Sequence, residues 1–464
     1  MPATSATRLS ALDAAFLQGE QTAPMHVGGV LVFEGPAPGY DEVAALVEER
    51  LEALPRWRER LAYPAGGLRR PCWVHDDGFD LGLHLRHAGL PRPRTEAQLR
   101  ALAGRILSAR LDLRRPLWQL YLVEGLEGER FAIVAKLHHA LAGEAGTGVV
   151  AALLEAGPAT AGAVTPPDRA RFTRAGRTVP PPPSEAQVLA ASALGQARDV
   201  AGFARGALDT LRRRPSAAAL AVARTARDAT DRVEARLERA PACIYDGPAG
   251  ASRTLAWARA SVPAVRRAAE AAGVGQDEVV LAALAGALRA HCERRGQEPV
   301  ALRALVRTGD GREGAATLPV HVADPPERLE RVRATTLALP DAGRGRRTPP
   351  RTVNLAVTSF PGPPEPLHLL GRRLREVFPV MPLPREHARS VAVLRCEDRI
   401  GVGLLGCASA VADVDDLAVD VSRAFAELTD PQYPRHVRRV VAAAARDSAP
   451  DSGVMNSDLN SGVR

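Results

Sequence analysis

The sequence of 464 residues has few of the features that mark membrane, secreted or nucleic-acid-binding proteins. No stretch approaches the roughly 20 consecutive apolar residues of a transmembrane helix. The N-terminus lacks the basic and then apolar layout of a signal peptide, since Asp13 and Glu20 interrupt it. Aromatic residues make up only 4% of the chain, and it contains no zinc finger and no basic run with interleaved aromatics. The sequence therefore predicts a cytoplasmic protein that does not bind nucleic acid.

Cysteine and lysine are also scarce, with five cysteines and one lysine. The five cysteines are scattered with no Cys-x-x-Cys pair, which argues against a disulfide framework and a zinc site. We therefore predict buried thiols and no metal site. The cysteines are Cys72, Cys243, Cys292, Cys396 and Cys407. Lys136 is the single lysine, so arginine carries nearly all the positive charge behind the formal net charge of +8.

The composition is that of a globular protein with more than one core. Hydrophobic residues make up 46% of the chain and charged residues 25%, which is enough to fill a core and keep the surface in solution. A chain of 464 residues exceeds the size of one ordinary core. We therefore expect two lobes.

Both halves of the sequence alternate between helical and extended patterns. Apolar residues recur at helical spacing over residues 41–54, 98–111, 277–291 and 414–428. Short apolar runs predict strands over residues 117–125, 129–137, 353–360, 388–396 and 399–406. The Gly-Leu-Glu-Gly turn at 125–128 joins the first two strands into a hairpin, and residues 146–156 resemble a helix. The mixture predicts an α/β (α+β) fold.

Changes of composition divide the chain into five segments. An N-terminal lobe over 1–157 precedes a linker over 158–184, which is rich in Pro and Gly and includes four consecutive prolines that cannot continue a helix. Residues 185–240 are Ala- and Arg-rich and predict an amphipathic helical connector, and 241–446 predict a second lobe. The polar tail, 447–464, is predicted to be disordered.

The connector over 185–240 has two interpretations. A basic amphipathic helix is typical of one that covers a core and keeps its charged face in solvent. The same pattern is typical of a helix that lies on an anionic membrane or lipid surface. We favour the first interpretation and keep a peripheral contact with membranes or lipid bodies as the alternative.

The run KLHHALAGEAG, residues 136–146, is the strongest local signal for chemistry. A buried strand delivers His138 and His139 to a loop rich in Gly and Ala. Adjacent side chains on extended backbone point in opposite directions, so one imidazole can face the core and the other a cavity. Histidine suits general-base chemistry near neutral pH, but a lone His-His pair is equally typical of structural histidines or a chance metal affinity. Three further histidines, His75, His84 and His87, have no motif and are interpreted as surface residues.

Four sequence blocks resemble a known family in the same order. They are SALDAAFLQGEQTAPMHVGGVLVFEG (10–35), RRPLWQLYLVEGLEGERFAIVAKLHHAL (114–141), CIYDGPAGASR (243–253) and VNLAVTSFPGPPEPLHLLGRRL (353–374). They are similar to the conserved blocks of the bacterial wax ester synthase/diacylglycerol acyltransferases. The resemblance touches both predicted lobes and covers about nine-tenths of the chain.

The resemblance implies both a fold and a reaction. The fold is a pair of lobes like those of the coenzyme A-dependent acyltransferases (chloramphenicol acetyltransferase and condensation domains), with the active site in a tunnel between them. His139 is implied as the general base and His138 as its orienting neighbour. The substrates are implied to be an acyl-CoA, or an acyl-carrier thioester, and an alcohol, a diacylglycerol or another nucleophile. Neither a cofactor nor a metal is implied.

The second-lobe blocks imply further site residues. The block around Asn354 is expected to support the catalytic face from the second lobe, and a donor there is expected to stabilise the developing oxyanion. Thr358 and Ser359 stand at the family's Ser-Asn pair. Asp277 and the following Glu278 stand at its Asn-Asp pair.

The chain departs from the family at the histidine motif itself. The family pattern is His-His-x-x-x-Asp-Gly, and Gly143 and Glu144 stand at its last two positions. In related acyltransferases that aspartate mainly holds the loop through an ion pair. The departures leave three interpretations: a wax ester or triacylglycerol synthase, a divergent transferase that acylates a non-lipid acceptor, and a non-catalytic lipid-binding relative.

Overall fold

The structure, a computed structural model, describes most of both predicted lobes. The described residues are 7–20, 22–63, 70–142, 154–156, 240–243, 245–246, 250–341, 353–363, 365–383, 389–409 and 413–430. The predicted linker (158–184), the connector (185–240) up to its last residue and the tail (447–464) lie outside this range.

The described residues form strands and helices in alternation. The strands are β1 Thr7–Arg8, β2 His26–Glu34, β3 Glu59–Ala62, β4 Cys72–His75, β5 Leu85–Gly89, β6 Trp118–Leu126, β7 Arg130–His138, β8 Glu155–Ala156, β9 Arg253–Ser261, β10 Leu302–Arg307, β11 Glu313–Leu318, β12 Leu355–Phe360, β13 Leu367–Leu369, β14 Arg372–Val380, β15 Arg389–Cys396 and β16 Arg399–Cys407. The helices are α1 Ala11–Glu20, α2 Tyr40–Arg50, α3 Glu96–Ser108, α4 His139–Ala142, α5 Val262–Ala272, α6 Gln276–Arg294, α7 Pro325–Leu337 and α8 Val414–Thr429. Short 3-10 helices span Pro55–Arg58 and Leu81–Leu83.

Two large sheets organise these elements. The first has the strand order β5-β6-β7-β2-β14-β13-β8, and the second has the order β11-β10-β12-β15-β16-β9. The first is antiparallel except for the parallel pair β5 and β6, whereas β10, β12 and β15 of the second are parallel neighbours. A small sheet, β1-β4-β3, lies beside the first. The mixed α and β fold and the two lobes are thus confirmed.

The predicted hairpin that carries the histidine pair is confirmed. Strands β6 and β7 pair antiparallel, and β7 continues into His138 with β2 on its other side. Both faces of β2 are buried: Val27 and Leu31 pack in one core, and Val30 and Val32 pack in the other. The histidine pair therefore ends a strand at the centre of its sheet.

The helices predicted from apolar periodicity are also confirmed, with shifts of a few residues at their ends. Thr95 caps α3 through its side-chain oxygen, which accepts a hydrogen bond from the Gln98 N–H. Helix α6 is buried along almost its whole length, as its apolar sequence predicts. The helix expected over 146–156 is wrong at its end, because Glu155–Ala156 is strand β8, paired with β13.

Two strands depart from the predicted division at 157 and 241. Strands β13 and β14 belong by sequence to the second lobe, yet β14 pairs antiparallel with β2 and extends the first sheet. Gly401 and Gly403 of β16 make room for this crossing, since a Cβ on either would lie 1.9 Å from a carbonyl oxygen of β14. Backbone of the two sheets therefore meets at van der Waals distance along β14.

Charged side chains reinforce this crossing. Glu376 of β14 is 4% exposed and accepts hydrogen bonds from Arg259 at 2.8 Å and Arg399 at 2.6 Å. Burial raises the pKa of the Glu376 carboxyl, but the two guanidinium groups outweigh it and hold the net pKa below its ordinary value. Arg259 also donates to Glu96 of α3, so the first sheet, α3 and β9 share one ion-pair network.

Buried cysteine and one histidine test the burial predictions. Four of the five thiols are buried, as expected, whereas Cys243 is half-buried.

The interpretation of His84 as a surface residue is wrong, since its side chain is 3% exposed. Its Nδ1 contacts the Trp118 carbonyl oxygen at 2.8 Å, and its ring stacks on the Trp118 ring. The polar residues around His84 in the sequence do not indicate that it is buried, because its partner, Trp118, lies 34 residues away in the chain.

Among the described helices, none is by itself both long and apolar enough to cross a membrane. Helices α5 and α6 reach that length and hydropathy only as a pair, and they meet at an angle of 101°.

Candidate active site

The two histidines of the pair differ in burial. His138, the last residue of β7, is fully buried and lies opposite His26 of β2. His139, the first residue of α4, is only partly buried. This difference agrees with the expectation that neighbouring side chains at the end of a strand point apart.

The hydrogen bonds of His138 fix its tautomer. The Ala140 N–H donates to His138 Nδ1 at 3.0 Å, so this nitrogen accepts and the hydrogen of the neutral ring lies on Nε2. Nε2 faces a carboxylate oxygen of Glu20 at 3.6 Å. The imidazole of His138 therefore lies within the core, with Nε2 directed at the Glu20 carboxylate.

His139 is held by its backbone and by its ring. Its N–H donates to the Met25 carbonyl oxygen at 2.9 Å, which ties the start of α4 to the segment before β2. Its imidazole stacks on the ring of Phe16, with the centroids 3.6 Å apart and the planes 17° from parallel. The stacking fixes the plane in which the ring nitrogens lie.

Glu20 is a buried carboxylate beside the pair. It is 3% exposed, and one oxygen accepts a hydrogen bond from the Met25 N–H at 2.6 Å. The other oxygen lies 3.7 Å from Nε2 of His26. Burial raises the pKa of the Glu20 carboxyl, but the contacts with His138 and the Met25 N–H outweigh it, so the net pKa is below its ordinary value. Glu20 is therefore ionised at neutral pH.

Two buried basic side chains cap the C-terminus of α3 beneath the site. Lys136 donates to the carbonyl oxygens of Ile106 and Ala109 at 3.1 Å each, and His26 contacts that of Leu107 at 3.1 Å. Burial lowers the pKa of Lys136 to about 8, against the upward pull of Glu20. Burial likewise lowers the pKa of His26 to about 3. The cationic amine complements the negative end of the helix dipole.

Arg253 joins this buried cluster to the second lobe. The residue begins β9 and is 5% exposed, and its guanidinium donates to the carbonyl oxygen of Pro24 at 3.4 Å. Its backbone N–H donates to the Ser108 hydroxyl at the end of α3 at 2.7 Å. The segment before β2, which holds His139 through Met25, therefore lies at the junction of the lobes.

Among the second-lobe residues predicted for the site, Asp277 and Ser359 are brought together. The Ser359 hydroxyl and Arg395 both donate to one oxygen of Asp277, at 2.8 Å and 2.6 Å. The Gly309 N–H donates to the other oxygen at 2.8 Å. Two departures from the family pattern are thus partners of each other. Thr358, next along β12, is half-buried and lies opposite residues of β10 and β15.

The side chain of Asn354 is engaged in structural hydrogen bonds. It is fully buried, and its Oδ1 accepts from the Arg303 N–H at 2.9 Å. Its Nδ2 donates to the Pro241 carbonyl oxygen at 2.8 Å and to Asp246 at 3.2 Å. Both amide hydrogens are engaged, so Asn354 is not a donor for an oxyanion. It anchors Pro241 and Asp246 to the second sheet.

Gly143 and Glu144 lie outside the described residues. Sequence analysis missed the supporting groups Phe16, Glu20, His26 and Lys136. A signal was present, because Phe16 and Glu20 stand four residues apart at the spacing of one helical face, yet nothing local says what that face touches.

Both parts of the chain are similar to domains of one known family. Residues 9–280 match the wax ester synthase/diacylglycerol acyltransferase catalytic domain, and residues 342–429 match the C-terminal domain of the same family. Two relatives from Mycobacterium tuberculosis strain H37Rv are each named a probable diacylglycerol O-acyltransferase and are 29% identical to this chain. One match covers 93% of this chain and 97% of the relative, and the other covers 87% and 94%.

Solved structures agree with these matches. The wax ester synthase/diacylglycerol acyltransferase from Marinobacter aquaeolei VT8 is 25% identical, with a TM-score of 0.65 over 91% of this chain and 98% of that one. The first condensation domain of the calcium-dependent antibiotic synthetase is 17% identical, with a TM-score of 0.54 over 92% and 97%, and shares the fold. Because the catalytic-domain match alone spans more than half of the residues, this chain belongs to the wax ester synthase/diacylglycerol acyltransferase family.

Proposed function

We propose that the protein transfers a fatty acyl group from acyl-CoA to the hydroxyl of an alcohol or a diacylglycerol, with His139 as the general base. Membership of the family supports acyl transfer, and the names of the M. tuberculosis relatives support a diacylglycerol acceptor. The observation that carries the assignment of the base is the asymmetry of the pair. His138 is fully buried with both ring nitrogens turned toward protein atoms, whereas His139 is only partly buried.

The proposed reaction needs one base and no acyl-enzyme. An imidazole nitrogen of His139 takes the proton of the acceptor hydroxyl as its oxygen attacks the thioester carbonyl carbon. The carbon–oxygen bond forms, the carbon–sulfur bond breaks, and the imidazolium returns its proton to the CoA thiolate. The products are an ester and free CoA. Phe16 and the Met25 carbonyl hold the imidazole and its backbone in place for both proton transfers.

The second-lobe departures from the family pattern favour a second candidate function. Asp277 and Ser359 stand where the family has other residues, and they meet each other in a set of hydrogen bonds with Arg395. These changes leave the second lobe hydrogen-bonded at positions where the family motifs lie. The second candidate is therefore a transferase with a non-lipid acceptor, or with a carrier-protein thioester as donor.

The test is a transfer assay with purified protein. Palmitoyl-CoA is supplied with hexadecanol or with diacylglycerol, and both the ester product and CoA release are followed. General-base catalysis contributes about 10²–10⁴-fold, so His139→Ala should lower kcat by that factor. His87→Ala is the matched control, because this histidine is partly exposed on β5, away from the pair, and its Nε2 contacts Glu124.

Each outcome selects among the candidates. Ester formation that His139→Ala removes supports the proposal. Absence of transfer to either lipid acceptor, with transfer to a short alcohol or an amine that His139→Ala removes, selects the second candidate. Binding of acyl-CoA without release of CoA under any condition, unchanged by His139→Ala, refutes both and leaves a lipid-binding relative.

The proposed lipid contact rests on the sequence of the connector, 185–240. Its arginine-rich helical pattern supports peripheral attachment to an anionic surface. Flotation of the full-length protein with vesicles containing anionic lipid tests it. Binding that disappears at high salt supports the attachment, and absence of binding at low salt refutes it.

A further inference from the structure

Helix α1 contacts both histidines of the motif from one face. Phe16 stacks on His139, and Glu20, four residues later, faces His138. Residues four apart lie above each other on a helix, so a single rigid element touches the two imidazoles in register. The Gly19 position between them is tight as well, since a Cβ there would lie 3.0 Å from the Met25 methyl carbon.

Two paths connect Glu20 to the backbone around His139: one consists of hydrogen bonds only, and the other includes a 3.6 Å contact with His138. In the first, Glu20 accepts from the Met25 N–H at 2.6 Å, and the Met25 carbonyl accepts from the His139 N–H at 2.9 Å. In the second, Glu20 faces Nε2 of His138, whose Nδ1 accepts from the Ala140 N–H at 3.0 Å. The residues on both sides of His139 are thus tied to one buried carboxylate.

A carboxylate suits this position better than its neutral isostere. Two donors, the Met25 N–H and the Nε2–H of His138, approach the same oxygen of Glu20. The opposite tautomer of His138 would put a hydrogen on Nδ1 against the Ala140 N–H, so the carboxylate and that amide together select one tautomer. A glutamine can turn its carbonyl oxygen toward both donors and its NH₂ group toward His26, but it removes the charge that favours the Nε2–H form of His138.

We propose that Glu20 and Phe16 are positioning residues for His139, which rests on the proposed function of His139 as the base. Glu20 holds the turn through His138 and Met25, and Phe16 sets the plane of the imidazole. The chain has a glycine at position 143, where the family motif has its carboxylate. In the part of the chain that the structure describes, helix α1 supplies a buried carboxylate beside the histidine turn.

The test compares three variants in steady-state transfer. Misplacement of a reacting group by about 1 Å can cost about 10²-fold, so Glu20→Gln and Phe16→Leu should each lower kcat by about 10- to 100-fold. KM should stay within about twofold, since neither residue is placed against a substrate. Glu376→Gln is the matched control, because Glu376 is also a buried, ion-paired glutamate but touches neither histidine. It should lower thermal stability and leave kcat within about twofold.

A spectroscopic measurement tests the same contact without turnover. Long-range proton–nitrogen NMR spectra of the ¹⁵N-histidine-labelled protein should show one ring locked as the Nε2–H tautomer, and His138→Gln should remove that signal. Glu20→Gln should convert the signal to a mixture of tautomers, while Glu376→Gln should leave it unchanged. If the wild type fails to transfer acyl groups but shows the locked tautomer, the proposed function fails and the positioning contact stands.

Two results would overturn the proposal. One is a kcat for Glu20→Gln and Phe16→Leu equal to that of Glu376→Gln in an active protein. The other is a His138 ring that is protonated on Nδ1, or that keeps its tautomer in Glu20→Gln. Either result would reduce α1 to an ordinary packing element.

Discussion

The buried His26 should make the stability of the fold sensitive to acid. Burial lowers its pKa from 6.5 to about 3 in the folded protein, against the upward pull of Glu20 and with Lys136 and His138 adding to the decrease. Between those two pKa values the unfolded chain binds a proton that the folded protein does not. Stability is therefore intact above pH 6.5 and is lost as the pH falls toward 3. His26→Asn should remove this part of the loss, because the amide can still donate to Leu107 but cannot titrate.

The magnitude follows from the two pKa values. At pH 4 an unfolded-state histidine lies about 2.5 units below its pKa, and each unit is worth about 1.4 kcal/mol. The folded ring is still almost fully neutral at that pH, and the unfolded ring is about one-quarter protonated at pH 7. The wild type should therefore lose about 3 kcal/mol more unfolding free energy than His26→Asn between pH 7 and pH 4.

Urea denaturation across this pH range, followed by tryptophan fluorescence, measures the difference. Trp118 is fully buried in β6, two strands from His26, so its fluorescence reports unfolding of the first sheet. Another buried histidine, His291, has its pKa lowered to about 4 by burial, but it is present in both proteins and cancels in the difference. A direct NMR titration of His26 should find a neutral ring down to about pH 4.

If the unfolding free energies of the wild type and His26→Asn differ by the same amount at pH 7 and pH 4, this reasoning is refuted. An imidazole of His26 that is protonated at pH 6 would refute it too, and would mean that Glu20 holds it as an ion pair despite its burial. The matched control is His87→Asn on the more exposed strand β5, which makes the same substitution outside the buried cluster. It should not reproduce the effect of His26→Asn.

Three further predictions test packing, coupling and burial. Gly403→Ala places a methyl carbon 1.9 Å from a carbonyl oxygen of β14, and should lower the unfolding free energy by about 1–3 kcal/mol in urea denaturation. Gly89→Ala meets nothing within 4 Å and should change it by less than about 0.5 kcal/mol. A double-mutant cycle of Asp277→Asn and Ser359→Ala should give a coupling energy of about 0.5–3 kcal/mol, whereas additive effects would show that their contact contributes nothing. Lys136 should resist an amine-acetylating reagent in the folded protein and react after denaturation, as seen by peptide mass spectrometry; modification of the native protein would contradict its full burial.

Local patterns predicted the elements that depend on nearby residues. The β6–β7 hairpin, helix α6 and helix α8 follow from the period of their apolar residues, because that period directly reflects which side of an element is buried. The placement of His138 and His139 at the end of a buried strand follows in the same way. His84 shows the limit, since its surroundings along the chain are polar but its partner, Trp118, is apolar and distant.

The contacts of the candidate site were beyond such patterns. The resemblance implies a donor in the block around Asn354, but the amide of Asn354 itself is engaged by Pro241, Asp246 and the backbone of Arg303. Glu20 looked like an interruption of an apolar stretch and is instead the buried carboxylate beside His138. A polar group in a core takes whichever partner lies nearby in space, and sequence spacing does not encode that distance.

The sequence by itself determined the family, the mixed α and β architecture and the histidine pair, because these are written in local periodicity and in motifs that stay together along the chain. Only the tertiary structure decided that β14 crosses to pair with β2, and that α1 places Phe16 and Glu20 against the two imidazoles. Both arrangements join segments far apart in the chain or depend on the direction of a side chain. They are fixed by which surfaces fit closely enough to exclude water, and that fit is a property of the folded molecule.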